Sequence, residues 1–365
     1  MSKRVKSGLF GSRQREVKDV ACVDLFCGVG GLTQGLVRSG VRVVAGVDFD
    51  AACEYPYTSN HKQTAFFRRD VAALKSSEVA EWFGGASVRV LAGCAPCQPF
   101  STYAQRYDTV GTERWGLLNH FSRLIRGVAP DIVTMENVPS VVTHRVFLDF
   151  VRDLEKSKYS VWYNVVDCAE YGLPQRRRRL VLLASLWGEL RLQAPGRSKI
   201  RTVRDALKGL PPLRHGDVDK YDRLHVASGL SPLNLARIKA SRPGGTWRDW
   251  PDHLVARCHQ RETGRTYPGV YGRMKWDEPS PTLTTQFYGF GNGRFGHPSQ
   301  ARALSLREGA ILQGFPEKYA FVSPDAPVEF KTLGRLIGNA VPVRLGHVIG
   351  SSIVRHVAQA QNRRL

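Results

Sequence analysis

From Val20 the chain carries apolar runs separated by short polar and glycine-rich breaks. Val20-Ala-Cys-Val-Asp-Leu-Phe26 is a short, nearly continuous apolar run of the kind that forms a buried strand. Gly28-Val-Gly-Gly31 then predicts a tight turn, and the pattern to about Ser39 predicts a helix that Gly40 stops. Val41 to Val47 reads as a second strand ending in Asp48, so strand, turn, helix and strand form a βαβ unit. Ser87 to Ala92, Ile132 to Met135 and Leu180 to Ala184 read as further strands, each after a helical segment. This alternation predicts a mostly parallel, doubly wound α/β sheet of the Rossmann-like kind.

The texture changes near Trp187. From there to about Pro298 the chain is rich in Gly, Pro, Arg and aromatic residues without sustained periodicity. Pro243-Gly-Gly-Thr-Trp-Arg-Asp-Trp-Pro251 and Phe287-Tyr-Gly-Phe-Gly-Asn-Gly-Arg-Phe295 are typical. This predicts a second, smaller, irregular β-containing domain whose loops carry function. Val343 to Gln361 returns to a helical pattern, with Pro342 suited to a first helical turn. The expected organisation is a basic tail over 1–18, a sheet domain over 19–187, the irregular domain over 188–330, and a C-terminal segment over 331–365.

Composition sharpens this picture in two respects. Lys and Arg number 53 against 32 Asp and Glu, a net charge of +21 and a pI near 10.0. Such an excess points to a polyanionic partner, nucleic acid ahead of a membrane surface, because neutralising phosphates releases condensed counterions. The seven cysteines (Cys22, Cys27, Cys53, Cys94, Cys97, Cys168 and Cys258) are odd in number in a chain of 365 residues. A disulfide framework is therefore not expected. No run of 18 apolar residues occurs, and Met1 to Lys18 lacks the apolar stretch of a secretory signal. A cytoplasmic location is the expectation, with the basic tail disordered in the absence of its nucleic-acid partner.

Four short segments can carry chemistry. In Asp24-Leu-Phe-Cys-Gly-Val-Gly-Gly31, glycines after a first strand let the backbone approach a ligand and turn into a helix. Asp48, ending the second strand, is placed to accept hydrogen bonds from a ribose diol. The dinucleotide spacing Gly-x-Gly-x-x-Gly is missing, so a nucleoside cofactor without pyrophosphate, such as S-adenosylmethionine, fits better. A plain strand-to-helix turn would also favour glycine. In Gly93-Cys-Ala-Pro-Cys-Gln-Pro-Phe-Ser101, a cysteine between prolines at a strand's carboxyl edge can present a thiolate to substrate. Half a zinc site, a redox dithiol and a structural loop are the competing readings, and the first lacks a second ligand pair.

Met135-Glu-Asn-Val-Pro139 closes another apolar strand and puts a carboxylate on the same sheet edge, where open α/β sheets build their sites. Tyr171-Gly-Leu-Pro-Gln-Arg-Arg-Arg-Arg179 runs directly into a strand. Alternation turns Arg177 and Arg179 to one face and Arg176 and Arg178 to the other, so one pair can face the site.

Together these segments resemble the bacterial DNA (cytosine-5) methyltransferases, from about Val20 to Leu345. The likeness rests on the first glycine segment, Pro96-Cys97-Gln98, Glu136-Asn137-Val138, Gln175 to Arg179, Arg307-Glu308 with Leu312-Gln313-Gly314-Phe315, and Gly338-Asn339. The resemblance implies an S-adenosylmethionine site. Phe26 with Gly28, Gly30 and Gly31 would line the methionine part, Asp48 bind the ribose, Phe49 stack near adenine and Asp70 meet its amino group. Pro96, Leu117, Asn339 and Ala340 would complete the site. The family's usual Glu is Asp48 here, a shorter carboxylate with the same hydrogen-bonding chemistry.

The implied mechanism is covalent. Cys97 adds to C6 of a cytosine flipped out of the duplex, making C5 nucleophilic. Glu136 holds the N3/N4 edge, while Arg179 with Arg177 orients the base and stabilises charge. Ser101 to Gly116 would close over the base, with Gln98, Ser101 and Tyr103 as contacts. Sequence reading is expected in the second domain from Arg242, Arg248, Arg257, Gln260, Arg261, Arg265 and Arg273, with Trp247 and Trp250 as packing anchors. Arginines in such a domain more commonly contact phosphate alone. Two other functions fit parts of the pattern: a tRNA cytosine-5 methyltransferase, and a binding-only protein on a methyltransferase scaffold. A monomer acting on double-stranded DNA, either beside a cognate restriction endonuclease that acts on the same site or as an orphan methylase, is the expected arrangement.

Overall fold

A computed structural model describes residues 19–95, 116–196 and 199–363. Seven strands form one sheet: β1 (Val20–Leu25), β2 (Arg42–Asp48), β3 (Ala65–Arg68), β4 (Val88–Gly93), β5 (Ile132–Asn137), β6 (Ser160–Asp167) and β7 (Arg178–Ser185). Their order across the sheet is β3-β2-β1-β4-β5-β7-β6. β3 through β5 run parallel, while β7 is antiparallel to both β5 and β6. The order reverses at β1, so the loops after β1 and β4 open a crevice at the carboxyl edge.

Two strands were not evident as apolar runs. β3 and β6 lie at the sheet edges and keep much of their surface exposed, so their sequences mix polar and apolar residues. The consequence for topology is that Leu180 to Ala184 does not follow a helix. It belongs to β7, which pairs with β6 as an antiparallel ribbon after a single 3-10 turn over Cys168–Tyr171.

Helices α1 (Gly31–Arg38), α2 (Glu54–Asn60), α3 (Ser76–Trp82), α4 (Gly116–Val128) and α5 (Arg145–Lys156) belong to the sheet half. α6 (Val203–Leu207), α7 (Pro232–Ala240), α8 (Glu262–Arg265), α9 (Leu306–Leu312), α10 (Phe330–Asn339) and α11 (Val343–Arg363) follow. One face of the sheet packs on α3, α4 and α5 through Phe83, Phe121, Phe147 and Phe150. The opposite face packs on α1 and α11 through Leu32, Leu36, Leu345, Ile349 and Ile353. α1 and α11 approach closely because Gly35 faces the backbone of Gly346 and His347, where a Cβ would overlap main-chain atoms.

Between β7 and α9 the described residues form no strand. The β content there amounts to isolated bridges, such as Val218 with Val226 and Arg273 with both Pro243 and Gly296. Two apolar clusters hold this half together. The larger one, with Leu224, Met274, Phe287, Leu306 and Phe315, also takes in Val29 and Cys53 from the sheet half. The smaller one gathers Trp247, Trp250, Ile238 and Phe290, so both tryptophans are anchors. Among the described residues, no helix is long and apolar enough to cross a membrane.

Candidate active site

The turn after β1 is built on unusual backbone. Phe26, Gly28 and Gly30 have φ of 58°, 54° and 84°, and Gly30 caps α1. Left-handed backbone is cheap for glycine and costly for a bulky residue, so the Phe26 conformation is a strained feature held by its surroundings. A Cβ on Gly30 would overlap the His61 ring and one on Gly31 the Val341 carbonyl, so the turn packs tightly on both sides. Below it, buried Asp24 accepts from Thr33 Oγ1 at 2.6 Å, and Thr33 lies 3.0 Å from the Tyr57 hydroxyl. Burial pushes the Asp24 carboxyl up to about 7, and its Oδ1 has no hydrogen-bond partner. Tyr319 donates to the Val29 carbonyl at 2.5 Å and meets His61 Nε2 at 2.9 Å, tying the turn to the distant segment after α9.

At the end of β2, the Asp48 carboxylate accepts from the backbone N–H of Gly28 at 2.8 Å and of Asp50 at 2.9 Å. Its first role is therefore to shape the turn, with the second lone pair of each oxygen left for a hydroxyl donor. Burial raises its pKa. Phe49 is 78% exposed beside it, a large aromatic face on the carboxyl edge. Asp70 is exposed and accepts from Ala72 N at 2.9 Å, which fixes its direction. Leu117 is half-buried on the first turn of α4. Asn339 ends α10 and is exposed, while the Ala340 carbonyl accepts from Gln313 Nε2 at 3.1 Å.

Strand register explains the second cluster. Glu136 on β5 lies opposite Val181 on β7. Side chains repeat every second residue, so Arg177, Arg179 and Val181 turn to one face. Arg179 Nε accordingly lies 2.9 Å from Glu136 Oε1, and both side chains are largely buried. Burial pushes the Glu136 carboxyl above its ordinary value, and the charges of Arg179 and then Arg177 pull it partly back. The result is a carboxyl that holds its proton more readily than a surface glutamate while keeping a cation beside it.

Arg177 is built into the framework. Its guanidinium donates to the carbonyls of Leu283 at 3.1 Å and Gly338 at 3.0 Å. It ties the strand to the second half and to the end of α10, and its charge also acts on Glu136. Arg176 and Arg178 are exposed, as alternation requires.

Pro96, Cys97, Gln98, Ser101 and Tyr103 lie outside the described residues. Their neighbour Ala95, two residues beyond β4, is buried, and its carbonyl accepts from Asn137 Nδ2 at 3.3 Å. Asn137 thus joins the end of β5, next to Glu136, to the start of the cysteine segment. β1, β4 and β5 are adjacent and parallel, so all three loops leave the same edge.

In the second half, Arg242, Arg248, Arg257, Gln260, Arg261 and Arg265 are exposed. Arg242 pairs with Asp249 at 3.1 Å, and Arg248 donates to the Arg265 carbonyl at 2.8 Å while lying over the Trp247 ring. Arg273 is a correction. It is buried, and its donors meet the carbonyls of His297, Ile238, Ser241 and Gln300. A guanidinium satisfied in this way holds loops together and cannot reach DNA.

Three framework groups were not singled out by sequence reasoning. Gln175 and Gln313 form a buried pair at 2.8 Å, and Gln313 also serves the carbonyls of Ile337 and Ala340. Arg302 makes two 2.7 Å bonds to Glu308, with His297 3.7 Å from the same carboxylate. Asp222 binds Arg307 across a long sequence separation. Gln313, Glu308 and Arg307 do fall in segments that carry the family likeness, which was their available signal.

Comparison with known proteins bears directly on this arrangement. The model of the C-5 cytosine-specific DNA methylase family matches residues 20–355. The Type II methylase M.HgiDII of Herpetosiphon aurantiacus is 48% identical over 348 residues, 94% of this chain and 97% of its own length. The Type II methyltransferase M.Eco47II of Escherichia coli is 30% identical, over 94% of this chain and 80% of its own. Among solved structures, a putative DNA modification methyltransferase encoded within an E. coli prophage superposes with a TM-score of 0.71 at 22% identity, covering 94% and 99% of the two chains. S. pombe Dnmt2 methyltransferase superposes at 0.63 with 16% identity, covering 94% and 99%. With its sheet order, its Glu136–Arg179 pair and these matches taken together, the chain belongs to the C-5 cytosine-specific DNA methylase family and is a DNA (cytosine-5) methyltransferase.

Proposed function

We propose that this enzyme uses S-adenosylmethionine at the carboxyl edge of the sheet to methylate C5 of a flipped-out cytosine, with Cys97 as nucleophile. The observation that carries the reading is the buried Glu136–Arg179 pair, one residue from the Asn137 link to the cysteine segment. The residues around β1 and β2 fit the cofactor. The turn bears a glycine, Gly28, with open space at its Cβ position; a carboxylate keeps lone pairs for a ribose; and an aromatic face stands exposed. Phe26, Gly28, Gly30, Gly31 and Pro96 would hold the methionine part, and Phe49, Asp70, Leu117, Asn339 and Ala340 the adenosine. When bound, the cofactor supplies an electrophilic methyl group.

The chain's own residues do the rest. The Cys97 thiolate forms a bond to C6, and Glu136, kept readily protonated by burial, donates to N3 so that the adduct carries no isolated negative charge. Arg179 keeps Glu136 in place and, from that position, would orient the base and stabilise charge. After C5 is methylated, loss of its proton and cleavage of the S–C6 bond regenerate the thiolate. Residues 188–330 act as the target-recognition domain, with Arg242, Arg248, Arg257, Gln260, Arg261 and Arg265 toward DNA and 331–365 returning to the sheet. Gln98, Ser101 and Tyr103 contact the flipped base. The enzyme acts as a monomer in a restriction-modification setting, alongside an endonuclease that cuts the same site.

A duplex carrying 5-fluorocytosine tests the covalent step, because fluorine cannot leave C5 as a proton does. The wild type should form a denaturation-resistant protein–DNA complex of the summed mass once methyl transfer has occurred. Cys97→Ala should form none, and Glu136→Gln should form it about 10²–10⁴ times more slowly. An adduct of full yield with Cys97→Ala contradicts the reading.

A further inference from the structure

A cavity of about 550 Å³ lies apart from Glu136 and Arg179, neither of which lines it. Arg38, Lys199, Arg201, Arg344 and His347 line it, and none of its lining residues is acidic. The five come from separate parts of the chain: the last turn of α1, the segment entering the second half, and the first turns of α11. The walls are completed by Gly172 and Gly314, both left-handed at φ 88°, where the chain turns between β6 and β7 and after α9. Arg38 stands seven residues along α1 from Gly31, about 10 Å beyond the cofactor turn.

The charge in this cavity is not cancelled from within. Burial lowers the His347 pKa, and the neighbouring Arg344 and Arg38 lower it further. Buried His347 Nδ1 has no hydrogen-bond partner. Lys199 and Arg201 do feel Asp205 and Asp277, but those carboxylates are committed to Thr202 and Arg204. Arg344 gives its Nε to the Tyr171 carbonyl, which fixes its direction at the cavity wall. The first turn of the 21-residue helix α11 adds the positive end of its dipole to the same space.

We propose that this cavity is a phosphate-binding site, separate from the methyl-transfer site, that takes either a phosphorylated small ligand or a phosphodiester of DNA flanking the recognition sequence. Its volume falls in the range of small-ligand sites, about 300–1,000 Å³. Converging cations from distant segments with a helix N-terminus form the arrangement that binds phosphate oxygens. The same five residues come from α1, α11 and the entry to the second half, so a bound phosphate group would brace the junction between the two halves.

Calorimetric titration of the full chain with inorganic tripolyphosphate tests the site. Saturable binding is expected, weakened at least tenfold in Arg38→Gln/Arg201→Gln and, independently, in Lys199→Gln/Arg201→Gln. Arg145→Gln/Arg152→Gln on α5 removes the same charge from the opposite face of the sheet and is expected to bind as the wild type does. No saturable binding to the wild type, or equal weakening in all three variants, overturns the proposal. The source of the phosphate is read by competition with a methylatable duplex bearing short or long flanks. Displacement of tripolyphosphate by the long duplex alone assigns the site to flanking DNA. Displacement by neither assigns it to a phosphorylated small ligand.

Discussion

In the sheet half a charged side chain is placed by strand register, whereas in residues 188–330 it is placed by bonds that the side chain itself makes. Glu136 and Arg179 meet because β5 and β7 pair antiparallel with Glu136 opposite Val181. The second half has no ladder among the described residues to do this. Its buried arginines take that part: Arg273 and Arg237 donate to loop carbonyls, Arg302 to Glu308, and Arg307 to Asp222 and the Tyr319 carbonyl. Arg237 also lies over the rings of Trp250 and Tyr271. Part of the chain's positive charge therefore serves as internal framework, and only the exposed remainder is available to DNA.

The comparison is broken most severely at Arg302, which is 0% exposed. Arg302→Met leaves Glu308 buried without its cation, which costs about 3–5 kcal/mol. The exposed Arg204–Asp277 pair is the contrast, and Arg204→Gln should leave the denaturation midpoint nearly unchanged. Urea denaturation of both variants measures the difference. Equal effects would show that the buried arginines are not the framework.

An effect of similar size, confined to a pH window, comes from Asp24, whose carboxyl is pushed from 3.8 to about 7. A raised folded pKa means that the folded state binds the proton more tightly than the unfolded chain. The stability this contributes is present below about pH 4 and lost as the pH rises through about 7. Over about three units, at about 1.4 kcal/mol each, the loss approaches about 4 kcal/mol before any relaxation. Asp24→Asn should remove this decline, so its stability relative to the wild type should improve between pH 5 and 8. Parallel stability curves for the two proteins would contradict the assignment.

The smallest expected effect on stability is at the exposed arginines. Arg257→Gln with Arg261→Gln should change stability by no more than about 0.5 kcal/mol. If they contact phosphates, the salt dependence of DNA binding should weaken by about one unit of slope for each. If either reads a base, methylation should spread to sites differing at one position.

These contrasts also explain what could be read from the chain beforehand. β1, β2, β4, β5 and β7 are central and buried, so continuous apolar runs marked them. β3 and β6 are edges and did not stand out. Glu136 and Arg179 were legible because strand ends and alternation place side chains without knowledge of distant partners. Arg273 was misjudged for the converse reason: no period distinguishes a buried arginine from an exposed one in an irregular region. The partners of Arg177, Leu283 and Gly338, lie 106 and 161 residues away. Only the folded arrangement reveals that tie.

The central claim is that the strand edge carrying Glu136 and Arg179 transfers methyl groups to cytosine C5 while the second half chooses the site. Incubating the protein with genomic duplex DNA and methyl-labelled S-adenosylmethionine, beside Glu136→Gln, and sequencing for 5-methylcytosine tests it most directly. The account predicts label at cytosines within one short sequence, reduced by at least a hundredfold in the variant. Label on tRNA instead of DNA, or transfer to DNA that is undiminished in Glu136→Gln, would contradict it.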